Sequence, residues 1–169
     1  MKNLNNYSIN KKKVLFRADL NIPVIDGKIT DNSRIEAIKP SIKKLLKQEN
    51  KIFILSHFGR PKEDNKKKYS LQFILPTLQK EFSVKKIYFL KNLDGESISR
   101  KIEEMFFGEI CLIENIRFYP EEEKNDQDFA KQISKNFDLF VNDAFSVSHR
   151  YHASIVGFTK SLSFFSSSG

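Results

Sequence analysis

The 169-residue sequence has no tryptophan, one cysteine, six glycines and five prolines. A single thiol, Cys111, rules out a disulfide within the chain and fits a reducing compartment. It stands inside Ile110-Cys111-Leu112-Ile113, so it reads as a buried spacer rather than a nucleophile. The few glycines form no phosphate cradle: neither a Gly-x-x-x-x-Gly-Lys-Ser/Thr nor a Gly-x-Gly-x-x-Gly pattern occurs. No hydrophobic run reaches membrane-spanning length, and residues 1–6 lack the apolar stretch of a secretory signal. The expectation is a cytoplasmic protein without a membrane partner. Acidic residues are also short: 21 against 29 basic ones, for a net charge of +8.

That excess of positive charge invites nucleic acid as a partner. The lysine runs at 11–13 and 66–68 fall in expected loops and carry no interleaved aromatics. They read as solvated surface rather than a nucleic-acid track, so no nucleic acid is expected. What is present otherwise fits a globular protein: 40% hydrophobic and 30% charged residues, in a length suited to one domain spanning 1–169.

Short apolar runs alternate with stretches of helical periodicity. Strands are expected at 14–18, 51–56, 87–90, 110–113 and 139–141. Between the first two, Ile35, Ile38, Ile42, Leu45 and Leu46 recur at helical spacing, with a kink or restart expected at Pro40. Ser70 is expected to cap a helix bearing Leu71, Ile74, Leu75, Leu78 and Phe82, interrupted by Pro76. Ile98, Ile102, Met105 and Phe106 mark another helix, stopped by Gly108. Asn125 or Asp126 caps the last, carrying Phe129, Ile133 and Phe137. The tail from Phe164 reads as frayed. Strands alternating with helices imply an α/β fold: a Rossmann-like, three-layer αβα domain with a mostly parallel sheet.

In a parallel sheet every strand delivers its carboxyl end to one edge, where such folds place ligands. The first strand leads into Asp19 and Asn21, the second into Ser56-His57-Phe58-Gly59-Arg60-Pro61. The fourth leads into Glu114-Asn115-Ile116-Arg117-Phe118-Tyr119, the fifth into Asn142-Asp143 and then Ser148-His149-Arg150-Tyr151-His152. Arg34, in the first turn of a helix, reaches the same edge. Four arginines, one histidine and a few acceptors suit a small, hydroxylated, highly anionic molecule, because guanidinium forks match carboxylates and phosphates. No carboxylate or cysteine spacing joins His149 and His152 into a metal site, and Ser148-His149 beside Asp143 makes no triad.

Six stretches together resemble the phosphoglycerate kinase family, in its order and spacing. They are Arg17-Ala18-Asp19-Leu20-Asn21-Ile22-Pro23, Thr30-Asp31-Asn32-Ser33-Arg34-Ile35, the Ser56–Pro61 and Glu114–Tyr119 segments, Val141-Asn142-Asp143-Ala144-Phe145, and Ser148-His149-Arg150-Tyr151-His152-Ala153-Ser154. Leu20 stands where the family usually has Phe, and after Gly157 the match fades. The resemblance covers the family's amino-terminal, 3-phosphoglycerate-binding half. It implies that Asp19 and Asn21 bind the glycerate hydroxyl region. Arg34, His57, Arg60, Arg117 and Arg150 would surround carboxylate and phosphate, with Arg34 also facing the phosphoryl group in flight. The family reaction moves the γ-phosphoryl of Mg-ATP reversibly to 3-phosphoglycerate in glycolysis, usually in a monomer. The family's nucleotide-binding domain has no counterpart in this sequence, so that half is an expected partner and no nucleotide or metal site is expected here. Three functions stay open: the acceptor half of a kinase, a non-catalytic 3-phosphoglycerate binder, and a basic nucleic-acid-binding protein.

Overall fold

Alternation with a period of two decides where each strand residue goes. Val14, Phe16 and Ala18 join Ile52, Ile54, Ile110, Leu112, Leu139 and Val141 in one core cluster, while Leu15, Phe53, Leu55, Cys111, Ile113 and Phe140 join a second. The runs are apolar on both faces because both faces are covered, as in parallel sheets flanked by helices.

The computed structural model describes residues 2–144 and 157–166, Ser161 by its backbone only. The elements are β1 (Lys2–Asn3), β2 (Lys13–Ala18), β3 (Val24–Ile25), β4 (Lys28–Ile29), α1 (Ser33–Lys47), β5 (Lys51–Leu55), α2 (Leu75–Glu81) and β6 (Ile87–Leu90). They continue with α3 (Gly95–Glu104), β7 (Ile110–Ile113), α4 (Pro120–Glu123), α5 (Gln127–Ser134), β8 (Leu139–Asp143), α6 (Phe158–Ser161) and β9 (Ser163–Ser166). Seven strands form one sheet in the order β1-β9-β8-β2-β5-β7-β6, and every pairing in it is parallel. β3 and β4 form a separate antiparallel hairpin around Asp26-Gly27. Apolar residues of α1 and α2 pack on the first face, and those of α3 and α5 with Phe158 on the second. The result is the three-layer α/β fold expected.

Several local expectations change. α1 is one helix through Pro40, with no restart. Pro40 is exposed, so the carbonyl of Glu36 that loses its helical donor faces water rather than a dry core. The segment after Ser70 opens as a 3-10 turn over Leu71–Ile74, with the Ser70 hydroxyl accepting from Gln72 N–H. Pro76 then falls in the first turn of α2, where a missing N–H costs little. α3 ends at Glu104, before Gly108. The tail is not frayed over Ser163–Ser166: as β9 it bridges β1 and β8, with Phe164 stacked on Phe140.

Candidate functional site at the carboxyl edge of the sheet

β2, β5, β7 and β8 lie side by side in the sheet and all run parallel. Their following loops therefore meet at one edge. Three of those loops are joined by a chain of hydrogen bonds. Arg34 Nη1 donates to Asp19 Oδ1, and Asn21 N–H donates to the same oxygen at 3.1 Å. Gly59 N–H donates to Asn21 Oδ1 at 2.9 Å, and Arg117 Nη1 donates to the Gly59 carbonyl at 2.9 Å. Gly59 needs its lack of a side chain: its φ is +60°, and a Cβ there would run into the Tyr69 ring.

Asn115 and Glu114 stabilise this edge from below. Asn115, fully buried, accepts from Phe58 N–H and Arg117 N–H and donates to the Phe58 and Tyr69 carbonyls. Glu114 accepts from the Ser70 hydroxyl at 2.6 Å, and from the Leu71 and Asn115 N–H groups. Both residues belong to the polar end of the fourth expected strand, and the structure spends their side chains on the loops.

Arg60 and Arg117 line a cleft of about 800 Å³ with Lys62, Lys66, Tyr119 and Glu123. That volume falls within the range of small-molecule sites. Lys66 was expected to be merely solvated surface. Instead it stands on the cleft wall, 2.9 Å from Glu63 and over the Phe118 ring. Arg34 keeps a side chain 40% exposed beside Asp19, so donors beyond the ion pair face solvent. His57 is buried, with Nδ1 3.4 Å from Arg17 Nη2. Arg150 lies outside the described residues, as do His149 and His152.

This chain is matched by the phosphoglycerate kinase family model over residues 4–168. The chain belongs to the phosphoglycerate kinase family. Phosphoglycerate kinase of Wolbachia pipientis wMel is 45% identical over 160 residues, covering 94% of this chain and 39% of that relative. The Elusimicrobium minutum enzyme is 42% identical over 162 residues, covering 96% of the chain and 40% of the relative. Phosphoglycerate kinase from Pyrococcus horikoshii OT3 superposes with a TM-score of 0.87 at 30% identity, covering 99% of this chain and 42% of that structure. The chain thus spans 39–42% of the length of these relatives. The family match runs on to residue 168, beyond Gly157, where the motifs alone had stopped.

Reading phosphoglycerate kinase motifs alone passes over one buried charge. Arg17, on β2, is 1% exposed, and its Nη1 donates to the Ala18 and Leu55 carbonyls. Burial pushes its guanidinium down from the ordinary value, opposed by nearby Glu122 and Asp19, while Arg117 adds to the lowering. Arg17 remains a cation, since guanidinium stays protonated in proteins. The signal was available: a charged residue on an otherwise apolar central strand requires a partner network. Glu122, on α4 and fully buried, shares that network. Among the described residues no group of three or more His, Cys, Asp or Glu side chains could hold a metal ion, and no helix is long and apolar enough to cross a membrane.

Proposed function

We propose that this chain is the 3-phosphoglycerate-binding, amino-terminal half of a phosphoglycerate kinase. The observation that carries the reading is a family match over residues 4–168, combined with a basic cleft at the carboxyl edge of the sheet. Arg60 and Arg117, with Arg150, meet the phosphate and carboxylate. His57 supplies a further donor. Asn21 and Asp19 address the hydroxyl region, although Asn21 Oδ1 is already engaged by Gly59 N–H. For Asn21 the carboxamide N–H₂ is then the group offered to ligand.

In the complete reaction a carboxylate oxygen of 3-phosphoglycerate attacks the γ-phosphorus of ATP. The bond to the β–γ bridging oxygen breaks, and ADP leaves. Catalysis of such transfer is mostly positioning and charge stabilisation. Arg34 is the catalytic candidate. Its ion pair with Asp19 holds one arm of the fork and orients the remaining N–H groups. Those groups would stabilise charge on the transferring phosphoryl. We place no nucleotide site in this sequence, which carries no phosphate-cradling glycine motif. The nucleotide would be held by the family's nucleotide-binding half, the proposed partner of this one. We place the assembled protein in the cytoplasm, in glycolysis, as a monomer without nucleic-acid or membrane partners.

A second reading is a 3-phosphoglycerate binder without turnover, since the cleft arginines need no nucleotide to hold an anion. Isothermal titration with 3-phosphoglycerate tests the shared premise. Affinity should fall steeply from low to physiological salt, because arginine–anion contacts supply it. Arg60→Ala and Arg117→Ala should each cost about 1.5–3 kcal/mol, the range for hydrogen bonds to charged groups. Salt-independent binding, or none, refutes the reading. A coupled ATPase-linked assay separates the two functions: this chain alone should be inactive, and adding a nucleotide-binding half should restore turnover that Arg34→Ala removes.

A further inference from the structure

In an Asp-Gly pair the main-chain nitrogen of glycine reaches the aspartate carboxyl with little hindrance, because glycine has no Cβ to shield it. The sequence holds two such pairs, Asp26-Gly27 and Asp94-Gly95. The fold treats them in opposite ways. Asp94 caps α3: its Oδ1 accepts from Ser97 N–H and its Oδ2 from the Ser97 hydroxyl, both at 2.8 Å, while its carbonyl accepts from Ile98 N–H. Those bonds hold the carboxyl in place and favour its charged form. Asp26 and Gly27 form the two-residue turn between β3 and β4, both at positive φ, +51° and +74°. Both are exposed, and a Cβ on Gly27 would meet nothing within 4 Å. Among the described residues the Asp26 carboxylate accepts no hydrogen bond and Gly27 N–H donates none. The hairpin pairs two residues per strand and stands apart from the seven-stranded sheet. Such a short ribbon opens at little cost.

We propose that Asp26 is a site of isoaspartate formation in the folded protein, and that the fold protects Asp94 from the same change. The Gly27 nitrogen attacks Cγ of the protonated Asp26 carboxyl and gives up its proton. A C–N bond forms, one carboxyl oxygen leaves as water, and a cyclic succinimide results. Water then adds at the Asp26 main-chain carbonyl carbon and breaks that carbon's bond to nitrogen. The chain now runs through Cγ, and the former main-chain carbonyl is a free carboxylate. One water leaves and one returns, so mass and charge are unchanged and nothing is oxidised. The backbone gains one methylene in a two-residue turn, which ends the pairing of Val24 with Ile29. That hairpin lies between Asn21 and Arg34 in the chain, so the same change loosens the path that joins them. This consequence for ligand binding rests on the 3-phosphoglycerate reading; the modification does not.

The test is to age the 169-residue chain for weeks at body temperature in mildly acidic buffer, then map tryptic peptides by electron-transfer fragmentation. Cleavage after Arg17, Lys28, Lys91 and Arg100 puts the two pairs on separate peptides, 18–28 and 92–100. Isoaspartate at position 26 should exceed that at position 94 about tenfold, the factor for one hydrogen bond to a charged group. In the urea-unfolded chain the two should form at similar rates. An isoaspartyl methyltransferase with labelled S-adenosylmethionine should mark the aged wild type and leave aged Asp26→Glu unmarked. Equal amounts at the two positions in the folded chain, or none at 26, overturns the proposal. A preference for 26 that persists in urea overturns the protection of Asp94 by the fold. Titration with 3-phosphoglycerate reads the consequence: aged wild type should lose affinity and aged Asp26→Glu should keep it. Isoaspartate at 26 with undiminished affinity upholds the site and refutes its effect on the ligand. A fresh chain that binds no 3-phosphoglycerate refutes the functional reading, and the peptide map still decides the site.

Discussion

Replacing Asn115 by alanine should do more damage than any single cleft arginine, although Asn115 touches no ligand. Its carboxamide makes four hydrogen bonds, to Phe58 N–H and C=O, Tyr69 C=O and Arg117 N–H. At about 1 kcal/mol net for each, with buried backbone groups left unsatisfied, Asn115→Ala should cost about 3–4 kcal/mol. That is a large part of the 5–15 kcal/mol that holds a typical domain together. With a urea slope of about 2 kcal/mol per molar, the unfolding midpoint should fall by roughly 1.5–2 M. Asn115→Asp keeps the shape and the oxygen that accepts from Phe58 and Arg117 N–H. It loses the two donors, however, and sets a negative charge against two carbonyls, so it should cost at least as much. Lys43→Ala, exposed on α1, is the control and should stay within about 0.5 kcal/mol. The loop released by Asn115→Ala also carries Gly59, whose carbonyl anchors Arg117, so the proposed binding of 3-phosphoglycerate should weaken as well. A loss below about 1 kcal/mol in urea titration would mean that the loops hold themselves, and would refute the clip role.

Asp94 caps α3, and hydrogen bonds from Ser97 N–H and hydroxyl hold its carboxyl below the ordinary value of 3.8. A depressed folded value means stability present above the unfolded value and lost as pH falls through the folded one. Asp94→Ala should therefore cost about 1 kcal/mol at neutral pH, a deficit that shrinks in acid when urea midpoints of both proteins are followed downward from pH ~4. Burial pushes the Cys111 thiol well above its ordinary value, so folded protein should resist iodoacetamide at mildly alkaline pH and react only as fast as it unfolds; rapid labelling would place Cys111 at the surface. Pro40→Ala restores a donor to α1 and should stabilise the chain by about 2 kcal/mol in the same titration, since proline in a helix interior costs about 3 and recovers part through the unfolded state. Gly59→Ala should destabilise by about 1–2 kcal/mol from its left-handed backbone, and further from the clash with Tyr69.

The sequence by itself determined the layers. Strands at Ile87–Leu90 and Ile110–Ile113 are where the apolar runs stand, because a strand covered on both faces has to be apolar at every position. It also determined which loops carry arginine and histidine, since parallel strands send their carboxyl ends to one edge. Motif order was enough to point to phosphoglycerate kinase, because motifs are local and survive without knowledge of contacts. Only the tertiary structure decided the partners. Lys2–Asn3 is only two residues long and Ser163–Ser166 holds two apolar residues between serines, so neither reads as a strand alone, and they become β1 and β9 by pairing across the length of the chain. Polar residues look alike in sequence whether they serve a ligand or the scaffold. Glu114 and Asn115 are turned inward by backbone donors and acceptors that only folding brings near, while Arg60 and Lys66 are left on a cleft wall. Arg17 reads as one more basic residue until β2 and β5 pair, and then its two arms are fixed on backbone carbonyls and on His57.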